Sequence, residues 1–320
     1  MKTIEWGFLI IVYLFLGGLS AGLFFVSALT TFLQRNGEDI AYRRVARLGA
    51  MLAPWPVMIG CLLLIFDLGR WYHFWKLFLH VRWVSPMSIG SWLLMAFTLL
   101  SLLYLYSWLA PEQREAMFSK LPKRLETLRF LNQDLSTYRR QIALLGIPVS
   151  VGVGIYTGVL LGAVQSRPFW NTNLVAQLFL FSALSTGCAA LILALAWRRE
   201  TIDTRAFQLL YTIDICLLTL ELFIVVPYVI HGELSVQAVR DSLGLILGGP
   251  FTLVFWVFFL GLGLLLPLGI ETYETAPLLL SNGAIHYRRG LAAMTAILVL
   301  AGGFLLRYIF VFAGQMSAFK

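Results

Sequence analysis

Apolar residues along this chain gather into eight long runs, at 6–31, 48–74, 87–109, 141–165, 173–197, 206–231, 247–271 and 290–314. Each is near or above the roughly 20 residues that a helix needs to cross the hydrocarbon core of a bilayer. The pattern predicts an all-α membrane protein of eight spanning helices, and an even number brings both termini to one side. The first run is too long for the core of a signal peptide, so it reads as a span that is kept.

Charged residues well inside these runs are few: Asp67 and Arg70 in the second, Asp214 and Glu221 in the sixth, Arg307 in the eighth. A charged side chain in hydrocarbon is costly unless it faces a partner or a wet cavity, so each of these marks a functional position by default. Asp67 and Arg70 are three residues apart and share a helix face. The plainer reading of that stretch is a helix-end ion pair beside an aromatic interface belt of Trp71, Tyr72, Trp75 and Trp83.

Composition agrees with the runs. Of the 320 residues 59% are hydrophobic and 12% charged, with a mean hydropathy of +0.82, which excludes a soluble globular domain of ordinary make-up. The net charge of +8 would suggest nucleic acid in a soluble protein, but in a spanning protein it first reports orientation. Sixteen Lys and Arg fall in the connections after runs 1, 3, 5 and 7, against seven on the other side with Arg70, near the end of run 2, counted there, which predicts those connections in the cytoplasm and both termini outside. No nucleic-acid partner follows. The longest connection, 111–140, carries Leu121, Leu125, Leu128 and Leu131 among basic residues at helical spacing, as an amphipathic helix on the inner membrane surface or a cytoplasmic docking site would.

A short repeat suggests two related halves. Leu19-Ser20-Ala21-Gly22 in the first run returns as Leu184-Ser185-Thr186-Gly187 in the fifth, and the following run of each half holds an acid, Asp67 or Glu221. The expected organisation is two pseudo-repeated four-helix bundles, 1–165 and 166–320. Cys61, Cys188 and Cys216 sit in apolar runs at unrelated spacings, as packed thiols do, and neither a disulfide nor an iron–sulfur cluster is expected in this chain. His73, His80, His231 and His286 lie at helix ends or in connections, a poor supply of axial ligands for a membrane haem. No metal site is expected.

Measured inward from the predicted outer helix ends at the α-helical rise, Tyr13, Asp67, Ser91, Tyr156, Glu221 and Arg307 share a slab roughly 5 to 15 Å deep. In the first half, Tyr13, Asp67 with Arg70, Ser88 with Ser91 and Trp92, and Tyr156 with Thr157 come from four different helices. A quinone ring needs hydrogen-bonding groups at opposite carbonyls, a nearby proton donor or acceptor, and an apolar throat for its tail. Tyr156 and Asp67 suit the first two needs. Taken alone, a tyrosine is more simply a packed phenol with a satisfied hydroxyl; the constellation is what points to a quinone. In the second half, Glu221 and Arg307 read equally as a buried structural pair or as part of a proton route. Asp214, seven residues before Glu221 on the same face, would be its next step, and no further titratable stepping stone is expected.

Several stretches together resemble the NrfD/PsrC type of membrane subunit found in quinone-linked respiratory reductases: 13–23, Phe74-Trp75-Lys76-Leu77 with the Ser85–Gly90 turn, Tyr156-Thr157-Gly158 with Ser166-Arg167-Pro168-Phe169, and Arg307 with Ala313-Gly314-Gln315. The resemblance spans essentially the whole chain. It implies a haem-free subunit of the bacterial inner membrane that binds menaquinone or ubiquinone near the periplasmic face of its first bundle. Electrons would pass to or from a ferredoxin-like iron–sulfur subunit and a periplasmic catalytic subunit, a molybdopterin enzyme or a multihaem cytochrome. Tyr156 matches the family's tyrosine at the quinone and Asp67 its acidic position; Tyr13 stands where some members have histidine. Arg167, in the outer connection, is expected near the docking partner. The chain would not be a complete enzyme alone. A proton-coupled secondary transporter is the competing reading, since eight helices, a repeat and intramembrane acids permit it. A dihaem cytochrome b is a third.

Overall fold

The computed structural model describes residues 6–34, 40–67, 85–119, 134–198, 204–281 and 288–317, with side chains described to Phe66, Ala116 and Ala276 where those segments end. Among them are eight helices long and apolar enough to span a membrane and no β-strand. Span 1 is Phe8–Leu33, span 2 Ile40–Phe66, span 3 Pro86–Ser107, span 4 Arg139–Gly162, span 5 Leu174–Trp197, span 6 Thr204–Glu233, span 7 Val254–Ala276 and span 8 Arg289–Met316. The chain is a multi-pass integral membrane protein. Its described ends meet on one face, where the Trp6 amide donates to Gln315 Oε1 at 2.9 Å and Gln315 Nε2 donates to the Trp6 carbonyl at 3.0 Å.

Spans 1 and 5 are the most buried and pack against each other along the centre. Span 1 also packs on spans 2 and 4, and span 4 on span 3; span 5 packs on spans 6 and 8, and span 8 on span 7. Small residues permit the central approach, since lipid supplies no hydrophobic drive and close backbone contact replaces it. A β-carbon on Gly187 would lie 2.2 Å from the Gly22 carbonyl carbon, and one on Gly22 would lie 2.1 Å from the Ala183 carbonyl oxygen. These two glycines end the repeated tetrapeptides, so the motifs meet at equivalent positions.

Two spans depart from a continuous α-helix. Span 2 is made of two helices, Ile40–Leu52 and Pro54–Asp67, because Pro54 and Pro56 cannot donate to the preceding turn. Span 1 adds two hydrogen bonds to the backbone of span 2: Ser20 Oγ donates to the Ala53 carbonyl and Ser27 Oγ to the Ala46 carbonyl. Span 7 opens as a π-helix, Val254–Leu265, and continues as an α-helix to Ser281. Its Gly263 lies against Gly302 of span 8, where a β-carbon would come within 2.6 Å of the Gly302 α-carbon.

The predicted boundaries hold within a few residues except at three places. Span 2 begins at Ile40, eight residues before its apolar run, so Arg43, Arg44 and Arg47 belong to its first turns. Span 7 begins at Val254, after the short helix Gln237–Leu243 and a turn-rich segment, and runs ten residues past its predicted end. In the 111–140 connection Pro111–Ser119 is helical, while Leu121, Leu125, Leu128 and Leu131 lie outside the described residues. Replacing Gly187 by Val is expected to lower stability in detergent by about 2 kcal/mol or to abolish folding, because rigid backbone has to move. Gly17→Ala, with nothing within 4 Å, is expected to unfold like wild type in the same thermal melt.

Candidate functional site

Two polar regions lie in the interior, one in each half of the chain. In the first half, span 1 contributes Tyr13 and span 4 contributes Tyr156, both buried. Tyr13 packs on Gly60 of span 2, with Tyr156 and Cys61 as ionisable neighbours, and its hydroxyl has no hydrogen-bond partner among the described residues. The Tyr156 ring lies over Gly90 of span 3, where an added β-carbon would fall 1.8 Å from Cζ. Glycine at 90 is therefore a condition for the phenol's position. At the helical rise, Tyr13 is roughly 8 Å and Tyr156 roughly 9 Å from the terminus-bearing ends of their spans.

The other predicted members fall out differently. Ser88 is buried, and Ser91 Oγ donates to the Ser88 carbonyl at 2.9 Å. Thr157 Oγ1 likewise donates to the Gly154 carbonyl of its own helix, at 2.8 Å. Those two hydroxyls serve their own helices, while Trp92 is 37% exposed and turns outward. Asp67 ends the second helix of span 2, its side chain outside what is described; Arg70 and His73 lie outside the described residues.

In the second half, Arg307 is fully buried among spans 1, 5 and 8. Its Nη1 donates to Ser182 Oγ at 2.6 Å and to the Gly303 carbonyl at 2.8 Å, its Nη2 donates to the Phe179 carbonyl at 3.3 Å, and the guanidinium carbon lies 5.3 Å from the Phe179 ring centre. Glu221 stands beside both Ser182 and Arg307, so the cation, the hydroxyl and the acid of spans 8, 5 and 6 are neighbours. Asp214 accepts from Ser185 Oγ at 2.8 Å through Oδ1, while its Oδ2 has no partner among the described residues. Ser185 is the serine of the repeated tetrapeptide.

Glu271 and Glu274 of span 7 were not expected from the sequence. Glu271 is fully buried, and neither carboxylate oxygen has a hydrogen-bond partner among the described residues; Glu274 Oε2 is in the same condition. Asp214 and Glu274 are the ionisable neighbours of Glu271, and Tyr211 stands beside Glu274 and Thr295. Counted from the ends opposite the termini, Glu274 is roughly 10 Å deep, Asp214 and Glu271 roughly 15 Å, and Glu221 roughly 25 Å. Asp214 is thus followed by two further acids. Glu221 itself is roughly 18 Å from the terminus-bearing end of span 6, deeper than the expected slab, because that helix runs on to Glu233.

A crevice of about 690 Å³ opens on the terminus-bearing face between the ends of spans 4, 5 and 6, lined by Gly158, Asn171, Thr172, Asn173, Pro227 and His231 among others. It lies on the span 5 side of span 4, since Gly158 packs against Ala176 while Tyr156 faces span 3. Beside it, Arg167 Nη1 donates to the Ser317 carbonyl at 2.8 Å and to that of Gln315, holding the end of span 8 to the connection between spans 4 and 5. Trp170 Nε1 donates to the Phe310 carbonyl at 2.6 Å and adds to this clasp.

Comparison with known proteins supplies a family. The family model described as "Polysulphide reductase, NrfD" matches residues 1–318. Protein NrfD of Escherichia coli (strain K12) is 32% identical over 99% of this chain and 96% of its own length. The C chain of the polysulfide reductase of Wolinella succinogenes is 30% identical over 98% of this chain and 95% of its own length. The C subunit of the selenate reductase of Mesobacillus selenatarsenatis is 26% identical, covering 92% of this chain and 71% of its own length.

The contrast between Arg307 and Glu271 predicts opposite effects of two buried substitutions. Ser182→Ala removes an acceptor from Arg307 and is expected to cost about 1–3 kcal/mol of stability. Glu271→Met removes a carboxyl that has no partner and is expected to raise stability by about 1–2 kcal/mol. Thermal unfolding of the purified chain in detergent measures both, and a lower melting point for Glu271→Met would show that the carboxyl is held.

Proposed function

The chain belongs to the polysulphide reductase NrfD family, and from that premise we propose that it is the haem-free membrane anchor of a respiratory reductase complex and its quinone-reactive subunit. Reduction of a quinone takes two electrons and two protons, and the reverse reaction releases them. Electrons come from, or go to, a ferredoxin-like iron–sulfur subunit and a periplasmic catalytic subunit. This chain's own residues supply position and protons. The observation that carries the reading is the pairing of Tyr13 and Tyr156, brought from two spans to one depth, facing the glycines of the two spans between them.

In this proposal the Tyr156 phenol donates a hydrogen bond to one quinone carbonyl. Asp67 exchanges the proton, and Arg70 sets its charge. Tyr13, Ser88, Ser91, Trp92 and Thr157 complete the walls; by their geometry Ser91 and Thr157 act through helix shape more than through their hydroxyls. Menaquinone and ubiquinone both satisfy these contacts. The halves 1–165 and 166–320 act as two related four-helix bundles, with both termini in the periplasm. The meeting of equivalent motif glycines at Gly22 and Gly187 supports the relation, and the excess of Lys and Arg in the opposite connections supports the orientation.

The second bundle moves protons in this reading, from Glu274 and Glu271 through Asp214 to Glu221 and Arg307. Unpartnered buried carboxyls are costly in a purely structural role, and that cost supports a role in proton transfer. The same acids, with the broken span 2 and the π-helical start of span 7, also suit the competing reading of a proton-coupled transporter. Arg167 is the residue of the clasp nearest a docking partner on the terminus-bearing face.

Tyr156→Phe and Asp67→Asn are each expected to lower quinone-dependent turnover of the purified complex about a hundredfold. Gly90→Ala, which displaces the phenol without touching its chemistry, is expected to act in the same direction. Full quinone-dependent turnover in all three variants, or uptake of a solute by the chain alone in proteoliposomes, would overturn the assignment. For the proton route, Glu271→Gln is expected to retain turnover in proteoliposomes while the protons moved per electron decline; an unchanged ratio places the route elsewhere.

A further inference from the structure

On the face opposite the termini, two helix starts bring arginines together. The first turns of span 2 carry Arg43, Arg44 and Arg47, with Arg43 and Arg47 exposed one turn apart on the same side. Span 4 opens with Arg139 and Arg140. Arg139 Nη2 donates to the Ser107 carbonyl at 2.6 Å and its guanidinium carbon lies 3.9 Å over the Trp108 ring, which fixes the group in place. Arg43 and Arg47 are close enough for their charges to oppose that of Arg139. Arg140 Nη2 reaches the Gln34 carbonyl at the end of span 1, at 3.3 Å.

The arrangement concentrates positive charge that an anion would offset. Helix N-termini favour negative charge, yet both helices carry arginine and no acid in their first turns; Glu38 and Asp39, just before span 2, lie outside the described residues. The described acid that acts on Arg139 is Asp134, and its carboxylate is already 3.1 Å from Arg114. Arg139 Nε is buried with no hydrogen-bond partner among the described residues. The cluster lies at the ends of three spans, beside the buried Trp108 and Tyr104.

We propose that Arg43, Arg47, Arg139 and Arg140 form a binding site for the phosphate of an anionic phospholipid headgroup. Arg139, stacked on Trp108, is the fixed donor. Arg43 and Arg47 close over the phosphate from span 2, and the acyl chains run along the exposed apolar side chains of spans 2 and 4. A phosphodiester spreads charge over oxygens that several guanidinium groups can share, and basic pockets between spans select such headgroups. The bound lipid would tie span 2 to span 4, which flank the proposed quinone site, although the proposal does not rest on that site.

The test is lipid retention by the full-length chain in nanodiscs of phosphatidylcholine containing a minority of phosphatidylglycerol or cardiolipin, read by native mass spectrometry after delipidation. Wild type is expected to retain the anionic lipid over phosphatidylcholine. The exposed double variant Arg43→Gln/Arg47→Gln is expected to hold it about 30-fold more weakly. Arg198→Gln/Arg205→Gln, two exposed arginines on either side of the connection between spans 5 and 6, is expected to leave retention unchanged. Equal retention by the Arg43/Arg47 variant, or an equal loss from the control pair, would overturn the site. So would displacement of the lipid by low-millimolar inorganic phosphate, which would assign the arginines to a soluble anion.

Discussion

The contact between the backbones of spans 1 and 5 at Gly22 and Gly187 decides where everything else can stand. With those helices in contact, Tyr13 faces spans 2 to 4 from one end of span 1, while Ser182 and Ser185 of span 5 face spans 6 and 8. Gly18, one turn from Gly22, leaves room for the Arg307 guanidinium, whose Nη2 would lie 3.1 Å from a β-carbon there. A larger residue at either crossing would separate the helices and open both polar regions at once. Small-residue packing in a membrane thus positions chemistry, where in a soluble protein a hydrophobic core would do so.

Within that frame the polar groups divide by how well they are satisfied. Water is absent from the bilayer core, so each buried donor or acceptor must find protein. Arg307 reaches carbonyls on two helices and a serine hydroxyl beside Glu221, and its Nε has no partner among the described residues. This is the pattern of a group fixed in place by most of its donors. Glu271 and the Oδ2 of Asp214 have no such partners among the described residues. The two conditions lie in one half of the chain, and their contrast gives the proposed proton route a direction: loosely held acids toward the face opposite the termini, a firmly held arginine toward the other.

Much of this arrangement was legible in the sequence, and the misses have physical causes. Eight apolar runs mark eight spans because length and hydropathy suffice for that. Depth along an ideal helix brings Tyr13 and Tyr156 to one level for the same reason. Glu271 escapes because it stands at the last position of its apolar run, where an acid looks like a helix end; the helix, π to Leu265 and α beyond it, continues to Ser281 and leaves the acid ten residues inside. Arg43 and Arg47 read as part of a connection because charge ends an apolar run well before it ends a helix. Rotamers are beyond reach as well. Nothing in the spacing of Ser91 or Thr157 tells that their hydroxyls turn back to carbonyls one turn earlier in the same helix, or in that of Arg167 that its guanidinium also holds the end of span 8.

The proposed quinone site and the proposed proton route need to communicate, and span 1 is the element that touches both. Tyr13 and Gly18 are five residues apart on it, roughly 8 Å along the axis. One lies beside Tyr156 and the other beside Arg307. A change of charge at the quinone ring would therefore be felt at Arg307 across low-dielectric protein, where the interaction of two charges is several times stronger than in water. Glu221 stands beside both Arg307 and Ser182. In the proposed function, electrostatics along this short path would couple electron arrival to proton movement without any large displacement of helices. Such a path suits a fold whose central crossing has no room to slide.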